Sequence, residues 1–183
     1  IIPINDGKRM VCLAGAGIHS VLTNAAALGR ESHSVLGSIF LNPAVSAGVA
    51  FGSRGTQLRK GPVYTERLLY ARVNAKGQVE VVNTLGLKGD ADKLYAKLES
   101  GTLSEADVEQ ECKLSASQTS YGASVCSCDG HQGREVARFN ASTSGPSPNR
   151  CEGKVLILAS VHDTFPKPVR SETGCATTTR LPS

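Results

Sequence analysis

The longest apolar stretch of the chain runs from Met10 to Phe51 and contains only two charged residues, Arg30 and Glu31. In its first part, apolar residues recur three and four positions apart, which is the spacing of one helix face. The positions between them are small or weakly polar, as is typical of a buried helix. The pattern predicts a helix from Met10 to Leu28, with packing positions at Gly15, Ala16, Gly17, Ile18, Val21, Leu22, Ala25 and Leu28.

This helix has three interpretations: a core helix, a membrane-active helix and a packing seam between subunits. A transmembrane span needs about 20 consecutive apolar residues. The segment reaches that length only if its four polar residues, His19, Ser20, Thr23 and Asn24, are counted as apolar. Small residues let helix backbones approach closely, which favours a packing role. The core interpretation is preferred, and the other two stay open.

The rest of the chain predicts shorter elements separated by loops. Residues 44–51 fit a short helix or a short strand, and residues 53–61 form an exposed loop. Alternating β-branched and aromatic residues predict strands, and capping residues mark the starts of helices. The predicted elements are a helix over 35–41, strands over 63–73 and 79–85 joined as a hairpin, helices beginning near Asp90 and Ser104, and strands over 134–140 and 154–161.

The order of these elements predicts an α+β fold. We expect an antiparallel four-stranded sheet, in the order β-β-α-α-β-β, packed with the apolar N-terminal helical region. The strand over 154–161 is apolar throughout, so it is expected in the centre of the sheet with both Leu156 and Ile157 buried. Residues 1–61 form the apolar region with its basic loop, and 62–183 form a cysteine-containing region with a Pro/Thr-rich tail; we expect one compact unit.

The cysteines add a prediction about the compartment. An even number, with five at position 112 or later, predicts three disulfides formed in an oxidising compartment. The cysteines are Cys12, Cys112, Cys126, Cys128, Cys151 and Cys175, so a bridge from the first would tie the N-terminal helix to the C-terminal region. Asn140-Ala141-Ser142 predicts glycosylation at Asn140. Together with a first residue other than Met, these features predict a processed, secreted, extracellular chain.

Charge and motifs offer little catalytic chemistry. A net charge of +4 without a Lys/Arg cluster predicts no nucleic-acid partner. The Cys126-x-Cys128 spacing is too tight for a zinc knuckle. The glycines of residues 13–17 lack the third glycine and the preceding strand that a Rossmann site needs. His162-Asp163 and His131 could serve a hydrolase, but a Gly-x-Ser-x-Gly elbow is absent. We predict no catalytic residue, no metal and no cofactor.

The layout resembles the small secreted killer toxins of yeasts and smut fungi. The matching features are the segment LAGAGIHSVLTNAAALG, the six cysteines, the dibasic pairs Lys8-Arg9 and Arg59-Lys60, and the predicted order of elements. No residue-level motif is matched, so no functional residue is carried over. The resemblance implies an apolar helix packed with disulfide-stapled α/β sandwich elements.

Three functions are therefore compared. The preferred one is a non-enzymatic toxin or effector whose partner is a target-cell membrane or surface receptor. The alternative is an extracellular structural subunit, of a filament or coat, that associates with itself. The third is a secreted hydrolase that uses His162 or His131. None of the three has a small-molecule cofactor.

Overall fold

The computed structural model describes residues 1–33, 41–53, 60–109, 111–120 and 148–168. Within these ranges the chain forms strands and helices in mixed order. The strands are β1 (Ile2–Ile4), β2 (Arg9–Leu13), β3 (Arg30–Glu31), β4 (Leu68–Val73), β5 (Val79–Asn83), β6 (Leu156–Asp163) and β7 (Phe165–Pro166). The helices are α1 (Ile18–Ala27), α2 (Val45–Phe51) and α3 (Ala91–Ser100), and a 3-10 turn covers Glu105–Asp107.

The main sheet has five strands in the order β1-β2-β6-β4-β5, and every neighbouring pair is antiparallel. A separate two-stranded sheet pairs β3 with β7. The predicted α+β class, the antiparallel sheet, the hairpin and the central position of β6 are confirmed. The prediction of four strands is wrong, because β1 and β2 come from the region expected to be helical. The predicted strand over 134–140 lies outside the described residues.

The two faces of the sheet carry different helices. On the first, which we call the α1 face, Met10, Cys12, Leu68, Tyr70 and Ile157 pack with apolar residues of α1 and α2. On the second, the α3 face, the core is formed by Val11, Leu69, Ala159 and Val161 together with Leu94 and Leu98 of α3. The sheet draws strands from both predicted regions, 1–61 and 62–183. Their packing as a single unit stays a prediction.

The predicted helix over Met10–Leu28 is wrong in its first half. Met10, Val11 and Cys12 lie in β2, which is paired with β1 and with β6. All three side chains are buried because both faces of the sheet are covered there. Such a continuous apolar run cannot be told from a buried helix by periodicity alone. The second half is helical, and Gly29, with φ of +67°, lies just beyond its C-cap as expected.

A register shift in β6 explains why Leu156 is not buried. Tyr70 pairs with Ile157 and Leu69 pairs with Ala159, so Leu158 is an extra residue between them. Ile157 points to the α1 face and is buried, as predicted. Leu156 points to the α3 face at the end that α3 does not cover, and it is exposed. The prediction for Leu156 is wrong.

The helix-capping predictions fare better than the predicted helix lengths. The Asp90 side chain accepts a hydrogen bond from the Lys93 amide at 2.9 Å, and Gly101 ends α3 in the left-handed region. Ser104 and Asp107 form the expected capping box. The box opens only the short 3-10 turn, in place of the helix predicted to begin near Ser104. The helix predicted over 35–41 lies outside the described residues except for its last position, which is in a turn.

The described cysteines form no disulfide. Cys12, Cys112 and Cys151 are free thiols, and Cys126, Cys128 and Cys175 lie outside the described residues. Burial raises the pKa of the Cys12 thiol to about 12, so this thiol stays protonated and behaves as a small apolar side chain. The predicted tie from Cys12 to the C-terminal region is wrong, because Cys12 is a free thiol. The two regions are joined without a covalent bond, by the pairing of β2 with β6.

Candidate functional site: the polar end of the sheet

Polar side chains collect at the end of the sheet where β6 finishes and β4 begins. Asp163, at the end of β6, accepts hydrogen bonds from Arg9 Nε at 3.2 Å and from Ser117 Oγ at 2.7 Å. We call this region the polar end; its members are Arg9, His33, Thr65, Arg67, Ser117, Gln118, Ser160, His162 and Asp163. It joins β2, β4, β6 and the segments around residues 33 and 117.

Two buried histidines meet on the α1 face of the polar end. His33 follows β3, His162 belongs to β6, and their rings lie edge to face with centroids 5.5 Å apart. His162 Nε2 and Ser160 Oγ are 2.9 Å apart. Among the described residues, His33 Nε2 and His162 Nδ1 are buried without a hydrogen-bond partner.

Burial keeps both histidines neutral at physiological pH. It lowers the pKa of His33 to about 4, against a smaller opposing effect of Asp163. Burial also lowers the pKa of His162 well below its usual value, and the neighbouring His33 adds to the effect. A neutral imidazole has one acceptor nitrogen, so the pair can accept a proton or bind a donor.

A buried arginine lies on the opposite face. The Arg67 side chain is 0% exposed, and it donates from Nε to Leu85 O at 2.7 Å and from Nη2 to Gly86 O at 3.0 Å. Its Nη1 has no partner among the described residues. Burial lowers the pKa of this guanidinium, and nearby Cys112 offsets part of the effect. A buried cation with an unused donor is suited to binding an acceptor or an anion.

The backbone around these groups is held rigidly by side-chain hydrogen bonds. Thr65 Oγ1 donates to Val161 O at 2.6 Å and accepts from the Arg67 amide at 3.0 Å. Asn149 clamps the same threonine, because its Nδ2 donates to Thr65 O at 2.6 Å and its Oδ1 accepts from the Thr65 amide at 3.3 Å. The start of β4 is thereby fixed to β6 before their ladder begins.

The glycine-rich loop between β2 and α1 is a second feature of interest. A strand does precede it, so that reason for rejecting a Rossmann site is wrong. The sheet is nevertheless antiparallel, and the first amides of α1 are already used. The Ile18 amide donates to Pro43 O at 2.9 Å, and the His19 amide donates to Asn42 Oδ1 at 2.9 Å.

The predicted helix residues do not form a continuous membrane-facing surface. Ile18, Val21 and Ala25 are buried in the α1 face, whereas Gly15 and Leu28 are exposed. None of the helices found among the described residues is long and apolar enough to cross a membrane. Those residues also contain no group of three potential metal ligands. The glycosylation site Asn140 and His131 lie outside the described ranges.

The predicted strand over 154–161 stops just before His162, which is in fact a buried residue of β6. His33 is also buried, with one nitrogen unpartnered among the described residues. The sequence analysis missed Arg67 altogether. The available signal was a lone arginine directly before the apolar run Leu68-Leu69-Tyr70. Because long charged residues are almost never fully buried without a reason, such a position indicates a special role.

Comparison with known proteins identifies enzymes as relatives. No family model matches the chain. The chain is 32% identical over 171 residues to the quinone-dependent D-lactate dehydrogenase of Haemophilus influenzae, and 33% identical over 178 residues to that of Corynebacterium glutamicum. It is 28% identical over 170 residues to that of Escherichia coli. These matches cover 88–91% of this chain but only 28–29% of each relative.

These relatives overturn the functional predictions. The resemblance to killer toxins is wrong, because all three relatives are named as one kind of metabolic enzyme. The predictions of a non-enzymatic toxin, a structural subunit and a secreted hydrolase are wrong for the same reason. A target-cell membrane or receptor as partner is also wrong, since the relatives' name points to a quinone and a small substrate. The extracellular location stays a prediction. The three described cysteines do not support it, because they are free thiols and form no disulfide.

Proposed function

We propose that this chain is part of a quinone-dependent D-lactate dehydrogenase and supplies an α+β unit of that enzyme. One observation carries the proposal: about nine tenths of the chain aligns with the same enzyme from three bacteria, at 28–33% identity. Because the chain spans less than a third of each relative, we assign the complete reaction to the complete enzyme.

The proposed reaction is a two-electron oxidation. D-lactate loses the hydrogen on its second carbon and the proton of its hydroxyl group, and pyruvate forms. The quinone takes up two electrons and two protons and becomes the quinol. The reaction therefore needs a cationic group for the lactate carboxylate and an acceptor for the hydroxyl proton.

We infer that the polar end is this chain's contribution to the reaction centre. Groups with unused hydrogen-bonding capacity are normally paired in a complete structure, and this region has several of them. On the α3 face, Arg67 Nη1 supplies a cationic donor, and on the α1 face the neutral His33 and His162 supply acceptor nitrogens. Because the sheet separates the two sets, one lactate molecule can contact only one of them, and the rest of the enzyme supplies the complementary group. The remaining part of the enzyme, or a bound ligand, is expected to satisfy these atoms.

The direct test measures D-lactate oxidation by the complete gene product that contains this chain. We expect D-lactate-dependent reduction of a soluble quinone analogue, with far slower turnover of L-lactate. A preparation that reduces the quinone at equal rates with both lactates, or with neither, contradicts the proposed function.

The role of the polar end is tested with His162→Gln and a matched control. His19 lies exposed on α1, so His19→Gln should leave kcat/KM for D-lactate unchanged. His162→Gln keeps hydrogen bonding but removes the imidazole, and a general base contributes about 100-fold or more to rate. We expect a loss of that order, with a normal melting temperature. Equal kcat/KM for the two variants contradicts a role for the polar end.

A further inference from the structure

Part of the α3 face of the sheet is apolar and exposed, and no element among the described residues packs over it. We call it the open sheet face, formed by Ala71, Val73, Val79, Val81 and Leu156. Cross-strand register places these residues side by side: Val73 faces Val79, and Ala71 faces both Val81 and Leu156. Val73 is 65% exposed, Val79 75%, Val81 51% and Leu156 64%.

This pattern is the reverse of what a solvent-facing sheet normally shows. An antiparallel sheet with one wet face alternates apolar residues inward and polar residues outward. In β5, Glu80 points to the α1 side, while Val79 and Val81 point to the uncovered side. Single exposed apolar residues, such as Leu41, need no explanation. A contiguous apolar patch, in contrast, marks a surface that another surface covers.

Two cavities on the open sheet face can accept side chains of a covering surface. One, of about 480 Å³, is lined by Ala71, Val73, Val79 and Leu156 with Lys154 at its rim. The other, of about 320 Å³, lies between the sheet and α3 and is lined by Val81 and Leu158, with Asp92 at its rim. β5 is also an edge strand of the five-stranded sheet, so a partner can cover both its face and its edge.

We propose that the open sheet face is an internal interface on which the remainder of the same dehydrogenase polypeptide packs. This inference rests on the proposed function. The occupant follows from length, because the greater part of each relative lies outside the region matched by this chain. Interfaces between domains of one chain bury about 600–1,500 Å². The covering surface is apolar, and it places a basic side chain towards Asp92 and an acidic one towards Lys154.

The test measures accessibility in the complete gene product. Val79→Cys and Leu156→Cys are made singly, with Ala26→Cys on the exposed side of α1 as the control. Each variant is reacted with a maleimide, and modification at the introduced cysteine is quantified by peptide mass spectrometry, native and in urea. We expect native labelling at Val79→Cys and Leu156→Cys to be at least tenfold slower than in urea. The control should label within a few-fold of its urea rate.

The outcomes separate the possible occupants. Labelling of Val79→Cys and Leu156→Cys at the control rate means that the face is open, and overturns the proposal. Protection that disappears when the protein is diluted a hundredfold identifies a second copy as the occupant, and also overturns it. D-lactate oxidation is measured on the same samples. An inactive but protected protein rejects the proposed activity alone, whereas an active and unprotected protein rejects only the interface.

Discussion

The buried His33 should make the stability of this fold sensitive to mild acid. Its pKa falls from about 6.5 in the unfolded chain to about 4 in the folded one, because burial disfavours the charged imidazole. Between these values the unfolded state binds a proton that the folded state excludes, so the free energy of unfolding decreases as pH falls. The stabilising contribution is complete above pH 6.5 and is lost progressively towards pH 4.

The size of the effect follows from the two pKa values. One fully coupled proton changes the free energy of unfolding by about 1.4 kcal/mol per pH unit. Between about pH 7.5 and pH 5, His33 alone should therefore cost about 2 kcal/mol. His162 should add in the same direction, because its pKa is also lowered by burial. Of the charges near His33, Asp163 opposes the shift and Lys60 supports it.

Urea unfolding of the chain and of His33→Gln, at a series of pH values, isolates this contribution. Glutamine keeps a polar side chain but does not titrate, so the variant should lose about 2 kcal/mol less than the parent over the same interval. Its stability at pH 7.5 does not enter the comparison, since only the two slopes are compared. Parallel pH dependences would mean that His33 is accessible to protons in the folded state, and would refute the reasoning.

Two further predictions use matched pairs of neighbouring positions, measured by urea unfolding of the chain. Ile157→Asp should cost several kcal/mol because it buries an unpaired charge, whereas Leu156→Asp should change stability by about 0.5 kcal/mol or less; equal effects would contradict the register shift in β6. A Cβ at Gly17 would run into the Asn42 side chain that caps α1, so Gly17→Ala should cost about 1–2 kcal/mol. Gly15→Ala meets nothing within 4 Å and should be neutral; a neutral Gly17→Ala would remove the role assigned to this cap.

The elements that the sequence predicted well are those governed by local signals. The capping residues Asp90 and Ser104 and the hairpin between β4 and β5 follow from short-range hydrogen bonding and backbone conformation. Local signals could not place β2. Its buried run Met10-Val11-Cys12 is determined by β1 and by β6, which lies about 150 residues away in sequence. Long-range pairing of this kind leaves no periodic trace when both faces are covered.

The cysteines show how a compositional rule can mislead. An even count indicates disulfides only when the thiols can meet, and Cys12 is instead buried on the α1 face of the sheet, against α1 and α2. The inference to a secreted chain, and from there to a toxin, depended largely on that pairing. Arg67 and the two buried histidines carried the more useful signal. The position of the arginine before an apolar run is visible in the sequence, but the burial of all three side chains is seen only in the structure.

The candidate site is incomplete in a way that suits a part of a larger enzyme. The described residues bring a buried guanidinium and two neutral imidazoles to one end of the sheet, and each has an unused nitrogen. Leaving a buried polar group unpaired costs about 1–3 kcal/mol, so several such groups are tolerated when a ligand or another segment pairs with them. The open sheet face is also incomplete by itself, because it exposes valines and a leucine where a free sheet would carry polar residues. Both features suit the proposed role as part of a dehydrogenase, in which the polar atoms would serve the reaction centre and the apolar face would pack against the rest of the polypeptide.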